Sequence, residues 1–135
     1  MAVLVLKDAS ITINSVALSD HANSVTVNYE VDSVEVTAFG SGGHVFTGGL
    51  QNNSIDIELM QDFAAANVEA TVYPLVGTTT TVVIKPTSSA VSTTNPSYTI
   101  TGTFLAAHTP VAGAVGELAM TSLSFTGGTL VKATS

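Results

Sequence analysis

Residues 25–59 read VTVNYEVDSVEVTAFGSGGHVFTGGLQNNSIDIEL, and this stretch sets the fold class. Val25, Val27, Tyr29 and Val31 alternate with Thr26, Asn28, Glu30 and Asp32, so a period of two puts an apolar row on one face of a strand and a polar, acidic row on the other. Val34 and Val36 continue the pattern against Glu35 and Thr37. Ile55, Ile57 and Leu59 alternate with Asp56 and Glu58 on the return. Two strand-patterned segments joined by a long connection describe a sheet protein.

The connection, roughly Ala38 to Asn53, holds Gly40, Gly42, Gly43, Gly48 and Gly49 around an apolar centre of His44, Val45 and Phe46. A connection of this length without a regular pattern of its own is uncommon in a compact domain and usually serves binding. Exposed Val45 and Phe46 are a liability on a monomer, which favours a partner surface. The competing reading is a surface loop whose Phe46 folds back onto its own core.

Working outward, 135 residues suit one domain spanning 1–135, with room for a single sizeable core. Hydrophobic residues make up 45% and charged residues only 10%, so much of the surface must be Ser, Thr, Asn, Gly and Ala. Such low charge density suits a subunit that hides its surface in an assembly; an extracellular β-domain with a Thr/Ser-rich coat is the alternative. The charge is one-sided, with ten Asp and Glu against Lys7, Lys85 and Lys132, no arginine, and a formal net charge of −7. Gripping nucleic acid requires cations that neutralise phosphates, so neither DNA binding nor an anionic membrane surface is expected. The same acidity suits a surface past which DNA slides without sticking, and it also serves solubility.

Cysteine is absent, which excludes disulfides and thiolate metal sites and leaves the redox compartment open. The start, MAVLVLKDASITIN, has too short an apolar run for a signal peptide, and Lys7 follows Val3 to Leu6 instead of preceding it. No segment approaches the roughly 20 apolar residues of a membrane-spanning helix. These features suggest a chain made and used in a cytoplasm, or released from it by lysis.

Leu4 to Leu6 and Ile11 to Asn14 read as short strands, with Leu18 to Asn23 as a connection. From Asp62, DFAAANVEATVYPLVG supplies an N-cap, an alanine-rich body and Gly77 as a stop. Phe63, Ala66, Ala70 and Tyr73 fall along one face, and Ala65, Val68 and Val72 along another. The segment predicts one short amphipathic helix that Pro74 ends near Val72 or Tyr73. Thr78 to Pro86 is β-branched almost throughout and reads as a strand, followed by an exposed loop from Thr87 to Pro96. Ser97 to Ala106, Leu118 to Phe125 and Thr129 to Lys132 complete the sheet content. No repeat period is visible, and the loops, including Thr109 to Gly116, are too short to link separate folded units.

The usual catalytic constellations are missing. His21, His44 and His108 lie far apart with no HxxxH or HExxH pair, and each reads as a loop residue. Gly40 to Gly43 lacks the Lys-Ser/Thr of a phosphate loop, and no GxSxG elbow is present. Glu30, Asp32 and Glu35, with Asp56 and Glu58, sit at strand spacing on solvated faces without a calcium-loop signature. No enzyme activity, cofactor or metal site is expected.

The acidic strand, EVTAFGSGG with its arm, the re-entry GGLQNNSIDIELMQDF, the short helix, the Thr-rich strand, and NPSYTITGTF followed by GAVGELAMTSLSFTGG together resemble tail tube (major tail) proteins of long-tailed bacteriophages. The resemblance spans nearly the whole chain and lies in the order and character of its segments. It implies a mainly β subunit of two packed antiparallel sheets, sandwich- or barrel-like, with one short flanking α-helix and a long glycine-rich arm. It further implies hexameric rings that stack around a channel through which DNA leaves the particle. The arm, Ala38 to Gly49, would reach the neighbouring ring through Phe39, Gly40, Gly42, Gly43, His44, Val45 and Phe46, with Val45 and Phe46 as its anchor. Glu30 with Asp32, or Asp56 with Glu58, would line the channel. Asp32 and Glu35 differ in strand parity unless a bulge lies near Ser33, so not all five carboxylates can face inward.

The partners implied are further copies of the chain and the tail-tip, tape-measure and tail-terminator proteins, with DNA passing without specific binding and no membrane. The location implied is the virion tail, assembled in the host cytoplasm. Sheet edges completed by neighbours would account for long β-branched strands with few edge charges. The absence of arginine departs from the family, which often uses it between subunits. Rival readings are the tube protein of a contractile secretion system and a capsid decoration or cement protein. A carbohydrate-binding sandwich is disfavoured, because there is no tryptophan and Tyr29, Tyr73 and Tyr98 form no evident stacking platform.

Overall fold

Every strand expected from Ile11 onward is present in the computed structural model, which describes residues 3–135. In chain order these are β1 (Ser10–Ile13), β2 (Val16–Ala17), β3 (Ala22–Asn28), β4 (Val31–Glu35), β5 (Phe46–Gln51) and β6 (Ser54–Met60). A short helix, α1 (Val68–Val72), separates them from β7 (Thr79–Lys85), β8 (Ser97–His108), β9 (Met120–Thr126) and β10 (Thr129–Ala133). The protein is mainly β, with two antiparallel sheets and one short α-helix. The larger sheet runs β2-β1-β7-β8-β9-β6-β3, with β10 also on β8, and β4 and β5 form the second. The larger sheet is open, ending at β2 and β3.

β8 joins two wings. Its residues 97–101 pair with β10 and its residues 104–108 with β9. Between them stands Gly102 at φ 73°, opposite Gly127 and Gly128 at φ 77° and 90°. These left-handed conformations suit glycine, and they let the sheet change direction where β9 gives way to β10. Ile11, Ile13, Val82, Ile84 and Ile100 from one wing join Ile55, Ile57, Leu59, Leu123 and Phe125 from the other in one buried cluster, with Val68 and Val72 of α1. Each such side chain contributes about 1.5–3 kcal/mol by leaving water. Along β6 the period of two is strict: Ile55, Ile57 and Leu59 are buried, and Asp56 and Glu58 are exposed.

Two expectations fail locally. Residues 4–6 form no strand, and Leu4 and Leu6 remain mostly exposed, so β-propensity alone does not make a strand where no ladder is formed. The helix begins at Val68 instead of following Asp62. Ala66 sits at φ 64°, which interrupts any helix through it. Asp62 Oδ1 instead accepts the Ala64 N–H at 2.9 Å, a local side-chain bond that competes with helix. Of the two predicted helix faces, Val68 and Val72 are buried, whereas Phe63 and Tyr73 are exposed. The end is where Pro74 places it, in a 3-10 turn, Tyr73–Leu75, followed by Gly77 at φ 81°.

Candidate functional site

The glycine-rich arm is a β-ribbon. Asn28 pairs with Ser54 and Val31 with Gln51, so three residues on one strand match three on the other and the register is unbroken from β3/β6 into β4/β5. Between the two pairs, the Asn52 N–H donates to the Glu30 carbonyl at 2.8 Å. The expected irregular connection is therefore corrected: residues 46–51 are a strand, and the true loop is residues 36–45. FTGGLQ hid this, since two glycines and no alternation give no strand signal. Opposite Asp32 the register steps from Gln51 to Gly48, so Gly49 and Leu50 form a bulge. Gly49 fits closely there, since a Cβ would lie 3.0 Å from Val34 Cγ2 and 3.3 Å from the Asp32 carbonyl oxygen.

The ribbon's foot is clamped. Asn53, 1% exposed, donates through Nδ2 to Gln51 Oε1 at 2.8 Å and to the Gly128 carbonyl at 3.1 Å. Its Oδ1 accepts the Glu30 N–H at 3.2 Å, and its carbonyl accepts the Gly127 N–H at 2.8 Å. Gln51 Oε1 also accepts the Leu130 N–H at 3.0 Å. A buried amide satisfied on every side fixes where the ribbon leaves the sheet. Sequence reading missed Gln51 and Asn53, because QNN reads as turn chemistry.

Beyond the foot, none of the described residues covers the ribbon. Val34, Val36 and Val45 are about half exposed, Phe46 and Leu50 more so, and Phe39 at the tip is fully exposed. Gly40, Gly42 and Gly43 would each admit a Cβ into open space. The face that carries Phe46, the cross-strand partner of Glu35, is ordered by Glu35, whose Oε2 accepts the Thr37 hydroxyl at 2.8 Å and lies 2.7 Å from His44 Nδ1. His44, and then Thr37, hold the Glu35 carboxyl below its ordinary value. The Val45 N–H donates to Thr37 Oγ1 at 2.8 Å, and the His44 and Phe46 rings lie 6.4 Å apart. An apolar surface thus stands exposed on a hydrogen-bonded support, the kind of patch that commonly marks a contact site.

The expected lining residues separate. Asp56 pairs with Thr26 and Ser124, and Glu58 with Ser24 and Ser122, so both carboxylates stand in a hydroxyl-lined strip on the open face of β3, β6 and β9. A shallow groove runs along this strip. Glu30 lies at the ribbon's foot and Asp32 on the ribbon, apart from that strip. By alternation along β4, Asp32 and Glu35 take opposite faces.

Two histidines are structural rather than loop residues. His21, in the 3-10 turn Ser19–His21, has Nε2 2.9 Å from Asp62 Oδ2 and Nδ1 2.9 Å from Asp20 Oδ1. His108 ends β8, is 2% exposed in its side chain, and has Nε2 2.9 Å from Glu69 Oε2 and Nδ1 2.9 Å from Thr121 Oγ1. Together they tie the helical segment to the sheet. Among the described residues, no group of three or more His, Asp or Glu is placed to hold a metal ion.

The Asp62 hydrogen bond raises the His21 pKa above 6.5, and the Ala64 N–H, then His21, lower that of Asp62 below 3.8. The His21 contribution is complete below its ordinary value and is lost as pH rises through the raised one. The Asp62 contribution is present above its ordinary value and is lost as pH falls through the depressed one. Replacing His21 with Asn should therefore cost more thermal stability at about pH 5.5 than at about pH 9. Melting curves of both proteins across that range test this. Equal losses at both ends would show that the pair acts through packing alone.

No protein-family model and no curated protein sequence matches the chain. Solved structures do. A chain of the PVC sheath–tube complex, from an extracellular contractile injection system in the extended state, is similar over 99% of this chain and 93% of its own, with TM-score 0.71 and 11% identity. A chain of the anti-feeding prophage cap, the AFP tube terminating cap, matches with TM-score 0.70 and 12% identity, over 100% of this chain and 95% of that one. A chain from the virion of a native gene transfer agent particle matches with TM-score 0.67 and 15% identity, over 97% and 99%. The chain has a tail-tube-like fold. Because almost the full length of each neighbour is matched, the likeness extends over the whole chain and is not confined to one shared motif. At such identity the agreement lies in architecture.

Proposed function

We propose that the chain is the repeating subunit of a tail tube. Copies join through open sheet edges into rings, hexameric as the resemblance implies, and the rings stack through the ribbon into a conduit for DNA ejection. One observation carries this: a ribbon with an apolar surface uncovered on a monomer, yet fixed at its foot by Asn53. A free subunit gains nothing from such an element, whereas a polymer covers it in every copy. β2 and β3 end the larger sheet and offer backbone donors and acceptors to a neighbour.

Asp56 and Glu58, set among Ser and Thr hydroxyls, are the lining pair in this reading. Carboxylates repel phosphates and neutral hydroxyls add no charge to retain them, whereas lysines along a bore would brake a polyanion. Tail-tip, tape-measure and terminator proteins would meet the tube at its ends or within it. The location proposed is the virion tail, assembled in the host cytoplasm, and no enzymatic step is assigned. The similarity to a chain of the PVC sheath–tube complex favours a second reading, the tube of a contractile injection apparatus.

Electron microscopy of concentrated protein, alone and seeded with tail-tip components, tests the proposal. Hollow tubes are expected, with Asp56 and Glu58 facing the bore. A strictly monomeric particle in sedimentation at every concentration, seeded or not, removes it. Trimers that bind only preformed shells would point to a decoration protein.

A further inference from the structure

A second uncovered apolar surface lies away from the ribbon. Tyr73, Pro74, Val76, His108 and Pro110 line an open groove of about 440 Å³. Both ring nitrogens of His108 are already engaged, by Glu69 and Thr121, so the ring brings no unpaired nitrogen to the groove. None of the five lining residues is Asp, Glu or Lys.

The groove and the ribbon mark opposite ends of one wing. The ribbon continues from the Ser54 end of β6. The groove lies past the other end: Gln61, the residue after Met60, donates to the Pro110 carbonyl at 2.7 Å and through its backbone to Ala119 at 3.0 Å. The seven residues of β6 put about 20 Å between the two ends. A projection at one end and a recess at the other make a heterologous, head-to-tail contact, which propagates as an open stack when the copies lie along one axis.

Charge narrows what can enter. With a net charge of −7, two copies repel over most of their surfaces. The ribbon tip, AFGSGG at residues 38–43, carries no charged residue, and no Asp, Glu or Lys lines the groove. These two patches meet without charge cost. Phe39 is fully exposed, and an aromatic ring beside Tyr73 and two prolines has faces to pack on.

We infer that Phe39 at the ribbon tip of one copy seats in the groove formed by Tyr73, Val76 and Pro110 of the next copy along the tube. This rests on the proposed tube role and names the acceptor for the ribbon. The chain has no cysteine, so a designed pair reports on itself. In Phe39→Cys/Val76→Cys, and separately in Phe39→Cys/Pro110→Cys, mild oxidation of assembled protein should convert most monomer into a ladder of covalent multimers that reductant collapses. The single variants should show less than about a tenth as much, by mass action of an unpaired thiol. Tubes visible by microscopy in both double variants with no ladder in either would overturn the inference and leave the tube role standing. A disulfide confined to monomers would also overturn it, because the tip would then fold onto its own groove. Protein that makes no tubes even without substitution would defeat the tube role itself.

Discussion

Replacing Val45 and Phe46 together with Asp should leave the subunit folded and abolish stacking. Neither side chain belongs to the buried cluster, and the Val45 N–H that meets Thr37 is backbone and survives the change. Burial of two apolar side chains contributes about 3–6 kcal/mol per contact before entropic losses. Losing even about 3 kcal/mol weakens one contact by about a hundredfold, and every subunit of a ring repeats the loss. The new carboxylates also join Asp32 and Glu35 on a chain already at −7. Sedimentation and negative-stain microscopy should find no tubes at concentrations where the parent polymerises, with a melting temperature within a few degrees of it. Normal tubes from the double variant would show that the ribbon is not the stacking element. The substitutions test this more cleanly than deleting residues 42–47, which would remove Phe46 and Thr47 from β5 and shorten its ladder with β4.

What could be read from the chain followed from local pattern. The period of two along residues 25–31 and 55–59 located β3 and β6 and, for β6, separated the buried Ile55, Ile57 and Leu59 from the exposed Asp56 and Glu58. A long connection rich in glycine with an apolar centre located the ribbon. What escaped was set at a distance. Asn53 and Gln51 are clamped by Gly128 and Leu130, 75 and 79 residues away, and nothing local in QNN encodes that. Asp62 reads as an N-cap, yet His21, 41 residues earlier, engages its carboxylate, and the helix waits for Val68. His108 finds Glu69 and Thr121 only once the sheet has formed. Residues 4–6 show the converse, strong β-propensity that forms no ladder. For the ribbon tip, exposure of Phe39 is visible in one chain, and the cover proposed for it is a second copy.

Gly128→Ala should be among the most damaging single-methyl changes in this protein. Gly128 sits at φ 90°, and a Cβ there would lie 2.8 Å from the Thr101 carbonyl oxygen, 2.9 Å from Ile100 Cγ2 and 3.0 Å from the Thr103 nitrogen. Two of the three are backbone atoms of β8, held between β7 on one side and β10 on the other, so they cannot retreat without breaking those ladders. The left-handed conformation alone costs an alanine about 1–2 kcal/mol. With the overlap added, the loss should reach about 3 kcal/mol or more, a drop of about 10 °C in melting temperature. Gly127→Ala is the control, since Gly127 has φ 77° but open space around it, and only the conformational cost should appear. The Gly128 carbonyl also receives Asn53 Nδ2, so a shift there loosens the ribbon's foot. Tube formation should therefore fail at temperatures where the Gly128→Ala subunit is still folded, while the Gly127→Ala subunit assembles. Equal melting losses for the two variants would mean that β8 yields to the added methyl. The join between the wings would then not be the rigid support on which the ribbon's aim depends.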